Sequence, residues 1–568
     1  MSAQSSIYNP SIRTSAATGD GFSVPRNTTA GRLATVFTTA DDGMMVFDTD
    51  LNNLFIWNGS AWESIPSSGD SLNTEVIFND NGVLVGDPGL VYDKTLQRLT
   101  VATNLRIHRG LLNDSTSVAV GPSTLTETIA GAIRNTFVGS NAGQFVSSGN
   151  RNVGVGSGAI QSVNGFELTG SQNVGVGNNA LAAANQTANN NTAIGNAAGG
   201  TVTSGAGNVA VGHDALNGAG TTGNNNVAVG NSAMLSASTV TGADNIGIGR
   251  STFANLSSGS DNVAIGRIAG QSITIGSENT YVGGAAGSAS SGASSVTAIG
   301  YGALNANIAS ENTAVGYYSL LANTTGTENT AVGRSSAAGN ISGLYITAVG
   351  FKAAELNTAN GTTAIGRKAL AANTSGGLNT AVGFNAMFSN ITGTQNVGVG
   401  SGALQSSNVN NNTAVGYNAA AITTGADVTA IGANALSLAT GGTGNTAVGS
   451  GAMGAGITTG AFNTTVGYNA LNLLTIGSSN TTLGTNAGAT TTTGSSNICI
   501  GRDTITSAAG ASNELSVGSA TYFVATNGAA ATYFPTAGAG AVIAPGTVLG
   551  FIRLRLNGTL LKLAVYPD

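Results

Sequence analysis

The sequence predicts an all-β protein: a long parallel β-roll or β-solenoid of about 24 rungs, flanked by small antiparallel β modules. Three observations carry this. A glycine that ends an aliphatic tripeptide returns 24 times between Gly121 and Gly518, at a mean spacing of about 17 residues. Around it stands a repeated phrase, G-x-x-N-[TV]-[AG]-[VI]-G-x-x-A, of which "NTAVGYNAL"-like copies are the fullest. The composition suits small, stacked units: 85 glycines, 8 prolines and 8% charged residues in 568. Collagen needs glycine at every third position with abundant proline. Disorder needs high charge and few β-branched residues. Neither pattern is present.

Each position in the phrase has a physical reading relative to the anchor glycine. The residue before it is always Val, Ile or, once, Leu483, and the residue two earlier again is β-branched or aliphatic, with a residue between that is usually Ala or Gly. That period-two alternation reads as a short strand. Asn stands four before the anchor in 18 of 24 copies, where stacked amides bond from rung to rung as a ladder. Gly stands seven before in 16 copies and Ala three after in 18, so both mark turns or close approaches rather than chance composition. The structural turn glycines singled out are Gly212, Gly230, Gly266, Gly316, Gly333, Gly383, Gly416, Gly449 and Gly467. The tripeptide "TTG" at 221–223, 324–326, 423–425, 458–460 and 492–494 reads as the second turn. Each coil is then expected to hold a strand of about five residues and a shorter one. So thin a coil encloses little apolar volume, which implies that rods pack side by side.

The repeat phrase, with a consensus close to "NTAVGYNAL" as in "NTAVGYNAA" (412–420) and "NTTVGYNAL" (463–471), resembles the head repeats of trimeric autotransporter adhesins over about residues 115–520. The resemblance implies a left-handed parallel β-roll in a homotrimer. These rungs are a few residues longer than that family's coil, so a longer loop is expected near the TTG turn.

The flanks divide the chain further. Residues 1–66 form an N-terminal attachment region whose "MMVFDTDLNNLFIWNGSAWESI" alternates as a hairpin and holds both tryptophans, Trp57 and Trp62; residues 67–115 are a β-rich connector. Residues 116–518 are the repeat shaft, and 519–568 a cap or tip. There "GFIRLRL", Asn557-Gly558 and "TLLKLAVY" make a hairpin expected to cap the last rung. The phrases "VFDTDLNNLFIWNGSAW" and "FNDNGVLVGDPGLVYD" resemble modules of bacteriophage fibre and spike proteins. That resemblance implies docking to another virion protein through the N-terminal region.

Chemistry is sparse. Cys499 takes a small-residue position, reads as an alanine substitute, and excludes an intrachain disulfide because it has no second cysteine. His108 and His213 have no His, Cys or carboxylate at ligand spacing. Asp41, Asp42, Asp48 and Asp50 read as turn residues; glycan hydrolysis or calcium binding is the alternative. No catalytic residue, metal site or cofactor is expected. A net charge of −6 without a basic block argues against nucleic acid, and no apolar run approaches a membrane span. The N-terminus lacks the pattern of a signal peptide, so the protein is expected to be made in the cytoplasm.

One surface feature stands out. The residue after the anchor is Tyr301, Tyr317, Arg334, Phe351, Arg367, Phe384, Tyr417 or Tyr468 in eight copies, so stacking would align them into a stripe. Such a stripe suits sugar rings or a partner surface; the alternative is packing between chains or between rungs. The reading that follows is a homotrimeric phage fibre at the virion surface, not an enzyme, whose C-terminal tip meets a host glycan or protein receptor. The alternatives are a bacterial trimeric surface adhesin and, third, a glycan-depolymerising tailspike.

Overall fold

The computed structural model describes residues 26–34, 45–64 except 52 and 59, strand segments between 73 and 124, 132–518 except 163–167 and 183–186, and strands within 520–565. These residues fall into two compact units, 1–222 and 223–568.

The first unit opens with a four-stranded sheet. β1 (Arg26–Asn27) pairs in parallel with β2 (Met45–Asp48), which continues antiparallel into β3 (Asn53–Trp57) and β4 (Trp62–Ser64). The expected hairpin is therefore present. The crossover before it carries one short helix, α1 (Thr29–Ala34), the only helix among the described residues and one the sequence reading did not include.

A second antiparallel series follows: β5 (Asn73–Asp80), β6 (Val83–Asp93), β7 (Arg98–Val101) and β8 (Leu105–Arg109). β9 (Val118–Val120) pairs antiparallel with β8 on one edge and parallel with β10 (Thr136–Val138) on the other. The meander thus hands over directly to the rungs. β11 (Val153–Val155), β12 (Val174–Val176), β13 (Thr192–Ile194) and β14 (Val209–Val211) complete the parallel ladder of this unit.

In the second unit eighteen strands run in sequence from β15 (Val227–Val229) to β32 (Glu514–Val517), each paired in parallel with the next at an unshifted register. At a rise of about 4.8 Å per rung, this ladder alone climbs roughly 80 Å. It ends where β33 (Ala520–Phe523) turns back antiparallel onto β32. The covering of the last edge thus falls to β33, inside the 519–568 segment. The terminal hairpin, β34 (Gly550–Leu556) with β35 (Thr559–Val565), pairs with itself and with no other described strand. The Asn557-Gly558 turn lies outside the described residues.

The strands correct an expectation from sequence. From β9 to β31 (Ile498–Ile500) each rung has one strand of only three residues, not a longer and a shorter one. The backbone explains the length. The anchor glycines have φ between +120° and +146° from Gly121 to Gly501, and the residue five before the anchor is left-handed as well, as at Leu378 (φ 58°) and Gln395 (φ 59°). A pleated strand cannot extend through either point. On the TTG side the rungs still approach closely: Thr324 and Thr325 N–H both donate to the Ile341 carbonyl, at 2.8 and 3.2 Å, without a regular ladder.

Two glycines per rung are fixed by different causes. A Cβ at the anchor would enter the next rung: at Gly383 (φ +136°) it would lie 2.6 Å from the Gly400 carbonyl carbon and oxygen. The same collision, at 2.1–2.7 Å, occurs at Gly230, Gly266, Gly316, Gly333, Gly416, Gly449 and Gly467; Gly212 shares the dihedral, with φ +132°. Seven residues earlier, Gly326 and Gly477 have ordinary φ, but a Cβ would stand 2.3 and 2.0 Å from the carbonyl oxygen of the rung above. There glycine is required by close approach, not by positive φ.

The core is a column one residue wide on each wall. Strand centres such as Ala364 and Ala381 face Ala386 and Met387, all fully buried. Volume is traded between neighbours. Where the strand centre is Tyr281, the residue four after the anchor is glycine in two rungs: a Cβ at Gly287 would sit 2.1 Å from the Tyr281 ring, and one at Gly270 would meet both Phe253 and Tyr281. Phe137 is accommodated in the same way by Gly143 and Gly154.

The asparagine ladder is present and buried in all eighteen copies. Asn396 shows its bonding: its N–H donates to Asn379 Oδ1 at 2.9 Å, its Nδ2 to the Val409 carbonyl at 2.7 Å, and its Oδ1 accepts from Asn412 N–H at 2.9 Å. The side chain thereby satisfies a backbone carbonyl and a backbone N–H of the following rung, while the side chain of the preceding rung's Asn satisfies its own N–H, which is why Asn and not a simple turn residue recurs there. A second ladder, missed from sequence, runs seven residues after the anchor. Asn323 Nδ2 donates to Asn307 Oδ1, and Asn340 Nδ2 to Asn323 Oδ1, each at 2.7 Å; Asn373 and Asn390 continue it. It covers only a few rungs, so its sequence signal was diluted by Leu, Thr and Ser elsewhere.

Candidate functional site

The residue after each anchor glycine sits at the outer corner where the strand turns away. The rung register places successive corners above one another, so side chains seventeen residues apart become neighbours. Tyr301 and Tyr317 are stacked at 5.7 Å with 16° between their planes. The Arg334 guanidinium lies 5.6 Å from the Tyr317 ring centre and 5.7 Å from that of Phe351. Arg367 lies 5.6 Å from Phe351 and 5.4 Å from Phe384. Six of the eight predicted stripe residues therefore form one continuous column, a pair of tyrosines followed by alternating guanidinium and ring. Tyr417 and Tyr468 are exposed but separated from it, by Ser401 and then by Ala433 and Ser450 at the corresponding corners.

The next residue along each corner adds a second row that sequence reasoning missed. Tyr318 stands 4.1 Å from the Tyr317 ring, and Lys352 and Lys368 lie over Phe351 and Phe388 at 5.9 and 5.5 Å. Tabulating the second residue after each anchor would have shown it. The Tyr317 hydroxyl, chiefly by hydrogen bonding and then by charge, raises the Tyr318 phenol above its ordinary value. Lys352 pairs with Glu355 at 2.8 Å. The four ion pairs among the described residues use neither Arg334 nor Arg367.

The remaining candidates separate into structural roles. Asp48 is fully buried, bonded to Arg32 Nε at 3.0 Å, and its other oxygen accepts the Asp50 and Leu51 N–H groups that close the β2–β3 turn. Arg32 in turn lies 3.6 Å over the Phe55 ring, while Trp57 and Trp62 meet edge to face at 5.7 Å. Asp41 and Asp42 lie outside the described residues, as does the side chain of His108. His213 does have a carboxylate beside it, Asp214 at 3.0 Å, which corrects the sequence reading; both are solvent-accessible. Cys499 is buried with Ala470 and Ala487, and burial pushes its thiol up to about 11, away from nucleophilic use. No group of three or more metal-ligating side chains occurs among the described residues, and no described helix is long and apolar enough to cross a membrane.

The chain is thus a rung-stacked β-solenoid with a surface column of aromatic and basic side chains. Residues 5–77 match the family described as the phage tail-like trimerisation region, and the β1–β4 sheet with its buried Arg32–Asp48 pair lies inside that match. The similarity supports a trimeric fibre of a phage tail-like particle. No curated protein and no solved structure matches the chain; the likeness to adhesin head repeats therefore rests on the repeat phrase alone.

Proposed function

We propose that this chain is the structural homotrimeric fibre of a phage virion and mediates adsorption to the host surface. The observation that carries the reading is a trimerisation-type segment at residues 5–77 followed, after the β5–β8 meander, by a β-solenoid of near-uniform rungs. In this reading the N-terminal region docks to another virion protein, the rungs form a stiff shaft, and the C-terminal segment is the distal tip. Three identical tips act together, so weak individual contacts add through effective concentration. The fibre works by shape and multivalency, without catalysis.

The test is immunogold electron microscopy on intact particles with antibodies to residues 1–60 and to the last 45. Label at the particle, with the C-terminal signal farthest out, is the expected result. Label on cell envelopes and none on particles would replace this reading with a bacterial surface adhesin. Sedimentation of the purified chain should give a trimer; a stable monomer in mild buffer would reject the assembly.

A further inference from the structure

The column from Tyr317 to Phe384 alternates ring, guanidinium, ring, guanidinium, ring on five successive rungs. Two alternative uses for it are weak. Rung-to-rung stacking alone does not call for arginine: an exposed cation–π contact contributes only about 0.5–1 kcal/mol. Packing against a second copy would bury four cations, Arg334, Lys352, Arg367 and Lys368, of which only Lys352 has a carboxylate partner, and a buried unpaired charge is costly. A second copy has a better seat on the strand face. There the outward residues of these rungs are threonine and Val or Ile, uncharged, with Ile299, Val332 and Ile365 between 37 and 39% exposed. The column is thus left facing solvent.

What remains unsatisfied on it is specific. Each guanidinium lies between two rings, 5.4–5.7 Å from their centres, and neither takes part in an ion pair among the described residues, so its N–H groups can donate to a planar anion. The two arginines are two rungs apart, roughly 10 Å. Phe384, with Arg367 on one side and Ser401 at the next corner, offers its ring to the C–H face of a sugar, while Phe351, between Arg334 and Arg367, spaces the two guanidiniums. The chain as a whole carries −6, yet this face is cationic, which favours an anionic partner over a neutral one.

We propose that this column is a lateral binding track for a linear acidic polysaccharide with one carboxylate per disaccharide, its carboxylates on Arg334 and Arg367 and a sugar ring on Phe384. The inference rests on the reading of the chain as an adsorption fibre and adds to it a site along the shaft, apart from the tip. A track of this kind holds the polymer weakly at each rung pair, and the three copies in a trimer multiply the contact.

The test is affinity electrophoresis of the full-length protein in gels containing hyaluronate, which has the required charge spacing, with dextran as the neutral control and a single-stranded oligonucleotide as the other polyanion. The expected result is retardation by hyaluronate only, lessened by salt. In the Arg334→Ser/Arg367→Ser double variant, binding should weaken about a hundredfold or more, since each lost charged hydrogen bond is worth about tenfold or more. Phe351→Ala should weaken it as well, and Arg502→Ser, which alters an exposed arginine paired with Asp503, should not. Melting curves and sedimentation of each variant accompany the assay. Absence of retardation, retardation undiminished in the double variant, or equal retardation by the oligonucleotide would overturn the proposal. So would dissociation of the double variant into monomers, which would make the column a contact between copies. The assay uses purified protein, so its failure leaves the particle-labelling result untouched, and the converse also holds.

Discussion

Gly383→Val is the sharpest probe of how the rungs hold together. The native φ of +136° is one that a β-branched residue adopts only under strain, at about 1–3 kcal/mol. The new Cβ would stand 2.6 Å from the Gly400 carbonyl and 3.1 Å from Ser401 N, so the rung above must retreat. Retreat stretches two hydrogen bonds at this corner, Gly400 N–H to Val382 O at 2.7 Å and Gly402 N–H to Phe384 O at 2.9 Å, at roughly 1 kcal/mol each. Together the penalty is about 3–5 kcal/mol. Stacked repeats are stabilised by nearest-neighbour terms, so the damage should concentrate in the rungs around residues 366–416 instead of unfolding the whole ladder. Hydrogen exchange read rung by rung is the assay, with Gly292→Ala as control: that glycine has ordinary φ, and an added Cβ would meet nothing closer than 3.6 Å. Unchanged protection of Thr380–Gly402 in the valine variant would refute the argument, because it would mean that the rungs tolerate a side chain where the geometry leaves no space.

Further predictions follow the same logic. Asn396→Ala leaves the buried Asn412 N–H and the Val409 carbonyl without their partner, and should lower local stability by about 2–4 kcal/mol; faster exchange of the Asn412 amide is the readout. Arg32→Ala removes the guanidinium bonded to the buried Asp48 carboxylate, which should cost about 3–5 kcal/mol in the β1–β4 sheet; loss of tryptophan near-ultraviolet dichroism at a lower temperature checks it. Burial pushes the Tyr281 phenol from 10.0 to about 12, against a smaller opposing effect of Ser290. A phenol pKa raised by folding gives stability that is full below the unfolded value and is lost as pH rises from there to the folded value. Stability should therefore fall between pH 10 and 12, by on the order of 3 kcal/mol, and Tyr281→Phe should reduce that fall in alkaline melting curves.

The sequence by itself determined the repeat, its register and the role of its most frequent residues. An aliphatic–small–aliphatic strand between Asn and Gly has one reading when it returns 24 times, because identical neighbours are the simplest way to satisfy a parallel ladder. The buried Asn amides and the anchor turn follow from that arrangement. The aromatic and basic corners were legible as a stripe for the same reason: a fixed period makes residues 317, 334, 351, 367 and 384 neighbours before any coordinates are known.

Only the tertiary structure decided what depends on exact dihedrals and on the rung above. It limited each strand to three residues, because left-handed φ at residues such as Leu378 and Gly383 bounds it on both sides. It split the glycines into those that need positive φ and those, such as Gly477, that need only the absence of a Cβ. It paired β33, not the terminal hairpin, with the last rung, and it assigned Asp48 to a buried pair with Arg32, sixteen residues away. The common physical reason is that these features are set by contacts between unlike residues. Periodicity reports which residues recur, whereas a single volume exchange such as Tyr281 for Gly270 and Gly287, or a single ion pair, occurs once and leaves no period to read.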